Sequence, residues 1–205
     1  MQLYHNPLSS NARRVAMTAA HLGIRLDSIE VNLMRDDDRR RLQELNPNVK
    51  VPVLVDGELV LWASCAIMQY LADGKPDQAL YPRGLVPRTC VNRWMFWACQ
   101  HFSPAIGVLV WEQVWKKIVE AGEPDPRELA RGTADLQRAA AVLDKHLSER
   151  EWLVGGCVTL AEYAVAAPLM YMEQARLPLD DYPQLLAWFA RVRELPAWRH
   201  TTPVW

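Results

Sequence analysis

Every convincing strand signal in this 205-residue chain lies before residue 63, so any sheet must be built from the first third and the remainder must be helical. "MQLYH" and "DSIEVNL" are β-rich runs. Between them come the turn and cap residues of "NPLSSN", a helix over Ala12–Leu22 with Val15, Ala16, Ala19 and Leu22 at helical spacing, and a terminating Gly23. A strand that returns after a helical crossover lies parallel to the first and makes a right-handed βαβ unit. "RDDDRRRLQELNP" fits a short surface helix. "VPVLV" and "ELVLW" flank Asp56-Gly57, a hairpin signal. Ser64 then reads as the N-cap of a helix, "CAIMQYLAD", that ends at Gly74.

Beyond residue 74, "GKPDQALYPRGLVPR" has prolines and glycines without apolar periodicity, which marks a linker. Helices are predicted over a long aromatic-rich run from Arg88 to Glu120, over Arg127–Leu147 with an apolar stripe through Leu136, Ala140, Leu143 and Leu147, and over Leu160–Ala175 and Gln184–Leu195. "VTLAEY" is a capping box, Thr159 with Glu162, and Val158 and Tyr163 hold its staple positions. The expected organisation is an α/β domain over 1–74, a linker over 75–86 and an all-α domain over 87–205.

The 23 basic and 24 acidic residues are scattered, which argues against a nucleic-acid partner. There is no basic, apolar leader at the amino terminus and no run of about 20 apolar residues, so a cytoplasmic protein without membrane attachment is expected. Cys65, Cys90, Cys99 and Cys157 and the five histidines lack metal-ligand spacing; no metal site is expected, and the cysteines read as reduced and buried. One feature resists this account. Pro52 stands in the most strand-like part of "NPNVKVPVLVDGELVLWASCAI", where it deletes a ladder donor, and Lys50 beside it suits a buried strand poorly.

The order of "LSSNARRV", "NPNVKVPVLVDGELVLWASCAIMQYLAD", "ALYP" and "VTLAEY" resembles the cytosolic glutathione transferases along nearly the whole chain, and most closely bacterial members with serine at the first turn. The resemblance implies a thioredoxin-like α/β domain followed by an all-α bundle. It implies a cis Pro52 that turns the N–H and C=O of Val51 toward the cysteinyl part of glutathione, the co-substrate. Lys50 would meet the glycyl carboxylate. Ser64 and the helix it starts would hold the γ-glutamyl carboxylate, although by spacing alone simple N-capping serves equally. Ser9 matches the catalytic serine, whose hydroxyl donates to the glutathione thiolate. Ser10 takes the role if the turn is shifted by one residue, and Asn11 is either a second donor or the helix N-cap.

Ala63 departs from the pattern, standing where the family usually places glutamate or glutamine for the γ-glutamyl ammonium. Leu8, His101, Trp111 and Trp115 are the implied lining of an electrophile pocket, with Trp205 as a lid, although aromatics at such spacing are more often core. The implied activity is conjugation of glutathione to a small hydrophobic electrophile, a detoxification chemistry, in a homodimer that packs the α/β module of one subunit on the helical half of the other. The alternatives are a non-catalytic scaffold with the same fold, or a glutathione-dependent peroxidase or isomerase. The maleylacetoacetate type of isomerase carries a fuller S-S-C-S pattern that "LSSNARRV" lacks.

Overall fold

The structure, a computed structural model, describes residues 1–204; Trp205, the expected lid, lies outside the described residues. The described residues divide into two compact units, residues 1–81 with 195–204 and residues 82–194.

The first unit contains β1 (Gln2–His5), α1 (Ser10–His21), β2 (Asp27–Glu30), α2 (Asp36–Leu45), β3 (Val53–Asp56), β4 (Leu59–Trp62) and α3 (Ser64–Asp73). The sheet order is β2-β1-β3-β4, with β1 parallel to β2 and antiparallel to β3, and β3 antiparallel to β4. This is the βαβ–ββα order expected from the periodicity. The hairpin loop is Gly57-Glu58, because Asp56 still pairs with Leu59; glycine takes the first central position at φ 59°, which favours a residue without Cβ. Apolar positions of α1 and α3, among them Val15, Met17, Ile67, Met68 and Leu71, are buried, and the two helices pack together. A second cluster of Val31, Leu42 and Val53, with Val49 and Val51 against it, seats the polar α2.

The second unit is helical. One run comprises α4 (Leu85–Trp97), a π-helical turn (Ala98–Phe102), α5 (Ser103–Val110), a second π-helical turn (Trp111–Trp115) and α6 (Lys116–Ile118). It begins at Leu85, inside the expected linker, with Pro87 in the first turn, where a missing N–H costs nothing. There follow α7 (Pro126–Leu147), α8 (Leu160–Ala166), a 3-10 turn (Ala167–Tyr171) and α9 (Pro183–Glu194). The helix expected over 160–175 is α-helical only to Ala166, because Pro168 has no amide with which to continue the ladder. The capping box is complete. Glu162, fully buried, accepts from the amides of Leu153 and Thr159 at 2.6 and 2.7 Å and from the Thr159 hydroxyl at 2.7 Å.

Two further expectations change. Residues 195–204 belong with the first unit rather than the helical half, because α10 (Pro196–His200) packs on α1 and its Trp198 receives the Arg13 side chain. No cysteine is buried: Cys65 and Cys90 are half-buried and Cys99 and Cys157 exposed, the last on a loop beside Gly155 and Gly156.

Candidate functional site

Strand register assembles the predicted residues of the first unit. Tyr4 pairs with Val53, and Val53 with Trp62, so β1 ends, β3 begins and β4 ends at the same edge of the sheet. Three breaks in regular structure therefore lie in a row there. They are the turn after β1 carrying Leu8 and Ser9, the Lys50-Val51-Pro52 corner before β3, and the Ala63-Ser64 junction after β4. Ser10 and Asn11 open α1 above the first of them.

The first turn is built by Asn6. Its Oδ1 accepts from the Leu8 amide at 3.0 Å, its Nδ2 donates to the Val31 carbonyl at 3.1 Å, and its carbonyl accepts from the Ser9 amide at 2.9 Å. The second corner repeats the device. Asn46, 3% exposed, accepts from the Asn48 amide at 3.0 Å through Oδ1 and donates through Nδ2 to the Lys50 carbonyl at 2.7 Å. Each asparagine precedes a proline, Pro7 or Pro47, and each side chain closes an Asx turn that fixes the segment after it. Sequence reasoning passed over Asn6 and Asn46 as site residues, though two Asn-Pro pairs ahead of the two site segments were a readable turn signal.

Ser9 is the N-cap of α1; its Oγ accepts from the Ala12 amide at 3.2 Å. The helix expected over Ala12–Leu22 thus begins two residues earlier, at Ser10. Asn11 is exposed on the first turn and has no capping role, because the cap position is already filled. One lone pair of Ser9 is committed to the helix, and the hydroxyl proton is left to donate elsewhere.

The Val51–Pro52 peptide bond is cis. Pro52 is buried and precedes the first paired residue of β3, so its missing N–H falls outside the ladder. Lys50 is exposed and Val51 half-buried beside it. Val49 has φ 51°, a conformation β-branched residues seldom adopt, held by the hydrogen bond its N–H donates to the Asn46 carbonyl at 2.9 Å.

At the third break, Ala63 rather than Ser64 occupies the N-cap, with φ 70° and ψ 108°, and no side chain caps α3. Ser64 is the first helical residue and is 8% exposed. Its side chain is not the cap that the spacing suggested, because β4 turns into the helix one residue earlier. A non-glycine residue in this conformation costs of order 1–3 kcal/mol and is commonest at functional positions.

Burial lowers the pKa of His5 on β1, and Glu30 across the parallel pair partly opposes the shift. A hydroxyl proton, one exposed ammonium and an uncapped helix start suit an anionic ligand with extended backbone.

The other predicted residues fall in the second unit. His101 is exposed and borders a groove of about 480 Å³ with Trp97, Pro104, Val108, Arg131 and Arg138. Trp111 is 46% exposed. Trp115 is half-buried, and its indole N–H donates to the Tyr171 hydroxyl. Leu8, half-buried, stands on the first unit's turn. Among the described residues no group of three metal-ligating side chains gathers, and no helix is long and apolar enough to cross a membrane.

Comparison with known proteins matches residues 3–87 to the glutathione S-transferase N-terminal domain and residues 126–191 to the glutathione S-transferase C-terminal domain. A theta class glutathione S-transferase from Xanthomonas axonopodis pv. citri, solved with glutathione bound, is 31% identical, covers 100% of this chain and 97% of its own, and superposes with a TM-score of 0.88. A glutathione S-transferase from Rhodospirillum rubrum F11 is 28% identical, covering 98% of this chain and 90% of its own, also with a TM-score of 0.88. FtsZ-localized protein A of Caulobacter vibrioides is 26% identical over 203 residues, 96% of this chain and 88% of that protein. With both domain matches in the expected order and the fold shared from end to end, this chain belongs to the glutathione S-transferase family.

Proposed function

We propose that the protein is a serine-type glutathione transferase that binds glutathione along the row of breaks at the sheet edge and activates its thiol through Ser9. The observation that carries this reading is the capping geometry of Ser9. With Oγ accepting the Ala12 amide, the O–H is the group left to face a sulfur anion at the positive end of α1. The backbone of Val51 pairs with the cysteinyl unit, Lys50 meets the glycyl carboxylate, and Ser64 with the first turn of α3 takes the γ-glutamyl carboxylate. Ser10, the first residue of α1, and exposed Asn11 are the alternative donors. The glutathione thiol loses its proton to solvent. The thiolate then attacks an electrophilic carbon to form a C–S bond, and the leaving group departs with its electron pair. A small hydrophobic electrophile is the partner of this step, and a cytoplasmic homodimer the working form. The solved relative with glutathione bound supports the choice of co-substrate.

A second reading, a binding protein that uses the fold without the chemistry, is favoured by Ala63, which lacks the side chain to engage an ammonium, and by the likeness to FtsZ-localized protein A. Retention on immobilised glutathione, elution by free glutathione, and conjugation to a chromogenic electrophile test the first reading. Passage through the column unretained, with no conjugation, moves the second ahead.

A further inference from the structure

Arg13 is 4% exposed, and no carboxylate compensates it among the described residues. Its guanidinium sits over the Trp198 indole, 3.7 Å from the ring centroid. Nη2 donates to the Trp198 carbonyl and to the Thr202 hydroxyl, each at 3.1 Å, and Nε is buried without an acceptor. All these partners are neutral, and burying a cation among neutral acceptors is costly. Desolvation accordingly pushes the Arg13 pKa down to about 10, still a full cation at neutral pH.

The position of that charge suggests its use. The Arg13 amide donates to the Ser9 carbonyl at 2.9 Å, so the two residues are one turn apart on the same face of α1. Helical side chains lean toward the N-terminus, which carries the Arg13 stem toward the turn that Ser9 caps. The elements packed on α1 are α3 and α10. The titratable groups they bring are Cys65, Tyr70 and Asp73 on α3 and Arg199 and His200 on α10, while α1 itself adds His21 and the fully buried Arg14, whose Nη1 is 3.7 Å from the Cys65 sulfur. The one carboxylate in this set, Asp73, closes α3 at the end opposite the Ala63-Ser64 junction.

We propose that Arg13 is a positioning residue for the thiol chemistry, a buried cation clasped by Trp198 and Thr202 whose field favours an anionic sulfur at the turn capped by Ser9. The inference rests on the reading of Ser9 as the thiolate donor. It also gives the carboxy-terminal segment a role, since α10 and Thr202 keep water from the guanidinium and so keep its field unscreened.

The test uses the full-length protein with glutathione as the probe, following ultraviolet thiolate absorbance and kcat/KM as pH is varied. Arg13→Met should raise the pH midpoint of thiolate formation by about one unit, the usual effect of losing a nearby opposite charge, while Arg13→Lys should stay near wild type. A lowered Tm with an unmoved midpoint in Arg13→Met would overturn the proposal and leave only a structural clasp. Should Arg13→Met fail to fold, Thr202→Val decides: loosening the clasp should raise the midpoint by a fraction of a unit, and an unchanged midpoint overturns the proposal. If the wild type binds glutathione but forms no thiolate at neutral pH, or does not bind it, the Ser9 reading fails first and the Arg13 proposal falls with it.

Discussion

The Ser9 Oγ lies 3.2 Å from the Ala12 amide nitrogen, so the hydroxyl that caps α1 is the same one proposed to donate to the thiolate. Structural and chemical roles in one atom make a simple alanine substitution ambiguous, and the contrast between two substitutions separates them.

Ser9→Ala should lower the conjugation rate at least about ten-fold, because a hydrogen bond to a charged group contributes ~1.5–3 kcal/mol. It should also cost about 1 kcal/mol of stability through loss of the cap. Ser9→Gly should lose the same activity but only a few tenths of a kcal/mol of stability. Steady-state kinetics paired with urea unfolding separates the two effects. Full activity in both variants, with collapse in Ser10→Ala, would move the donor to Ser10.

Ala63 stands where the γ-glutamyl ammonium is expected, with no carboxylate of its own. Ala63→Glu should tighten glutathione binding several-fold, as a charge-assisted hydrogen bond is worth ~1 kcal/mol or more after desolvation. Calorimetry with glutathione, and with an analogue lacking the α-amino group, checks this. The gain should appear for glutathione alone. Weaker binding in the variant would favour the scaffold reading.

Glu162 satisfies three buried donors, the amides of Leu153 and Thr159 and the Thr159 hydroxyl. Glu162→Ala leaves all three unpaired and should destabilise the helical unit by about 2–4 kcal/mol. Denaturant unfolding measures it, and a loss below about 1 kcal/mol would mean that the loop before Thr159 rearranges to replace the carboxylate.

His146 is half-buried, 4.6 Å from the Trp94 ring, with Nε2 2.9 Å from the Leu153 carbonyl. A carbonyl only accepts, so Nε2 carries the proton and the neutral ring already makes this bond. Burial is the main cause that lowers its pKa, with Arg150 and Arg93 adding to it and the Leu153 bond opposing. A histidine whose folded pKa lies below its unfolded one binds more protons when unfolded. Stability should therefore be full above the ordinary value of about 6.5 and fall as pH drops through it, levelling below the folded pKa. His5 and His21 shift the same way, mainly by burial, and add to the slope. His146→Gln should flatten part of the slope in unfolding measured at several pH values between about 5 and 8.

A homodimer should be found by sedimentation at micromolar concentration. In the first unit, edge strand β4 leaves Leu59, Val60 and Trp62 at 39%, 39% and 44% exposure, and in the second Phe96 is 61% exposed. Phe96→Asp should shift the protein toward monomer if that ring lies in the interface, and a wild-type monomer would sink the expectation.

The local pattern of the chain determined the order of elements. Alternation and the Asp56-Gly57 pair were sufficient for the hairpin, helical spacing for α1 and α7, and the Thr159–Glu162 spacing for the start of α8, because each depends on residues within a few positions of one another. Serine, lysine, proline and serine at 9, 50, 52 and 64 were legible as site residues only as an ordered set, since each alone also suits a cap, a surface or a strand start.

What tertiary structure alone decided are the facts that depend on distant partners. Strand register brought residues 9, 51 and 63 to one edge. The cap of α1 fell on Ser9, two residues before the Asn11 that the local pattern offered, and that of α3 on Ala63, one residue before Ser64, because the strands before them set where each helix begins. Residues 195–204 left the helical half for α1, and a buried arginine found its acceptors 185 and 189 residues away. No window of sequence contains such a pair, and burial, which makes an uncompensated charge consequential, exists only once the chain has folded around it.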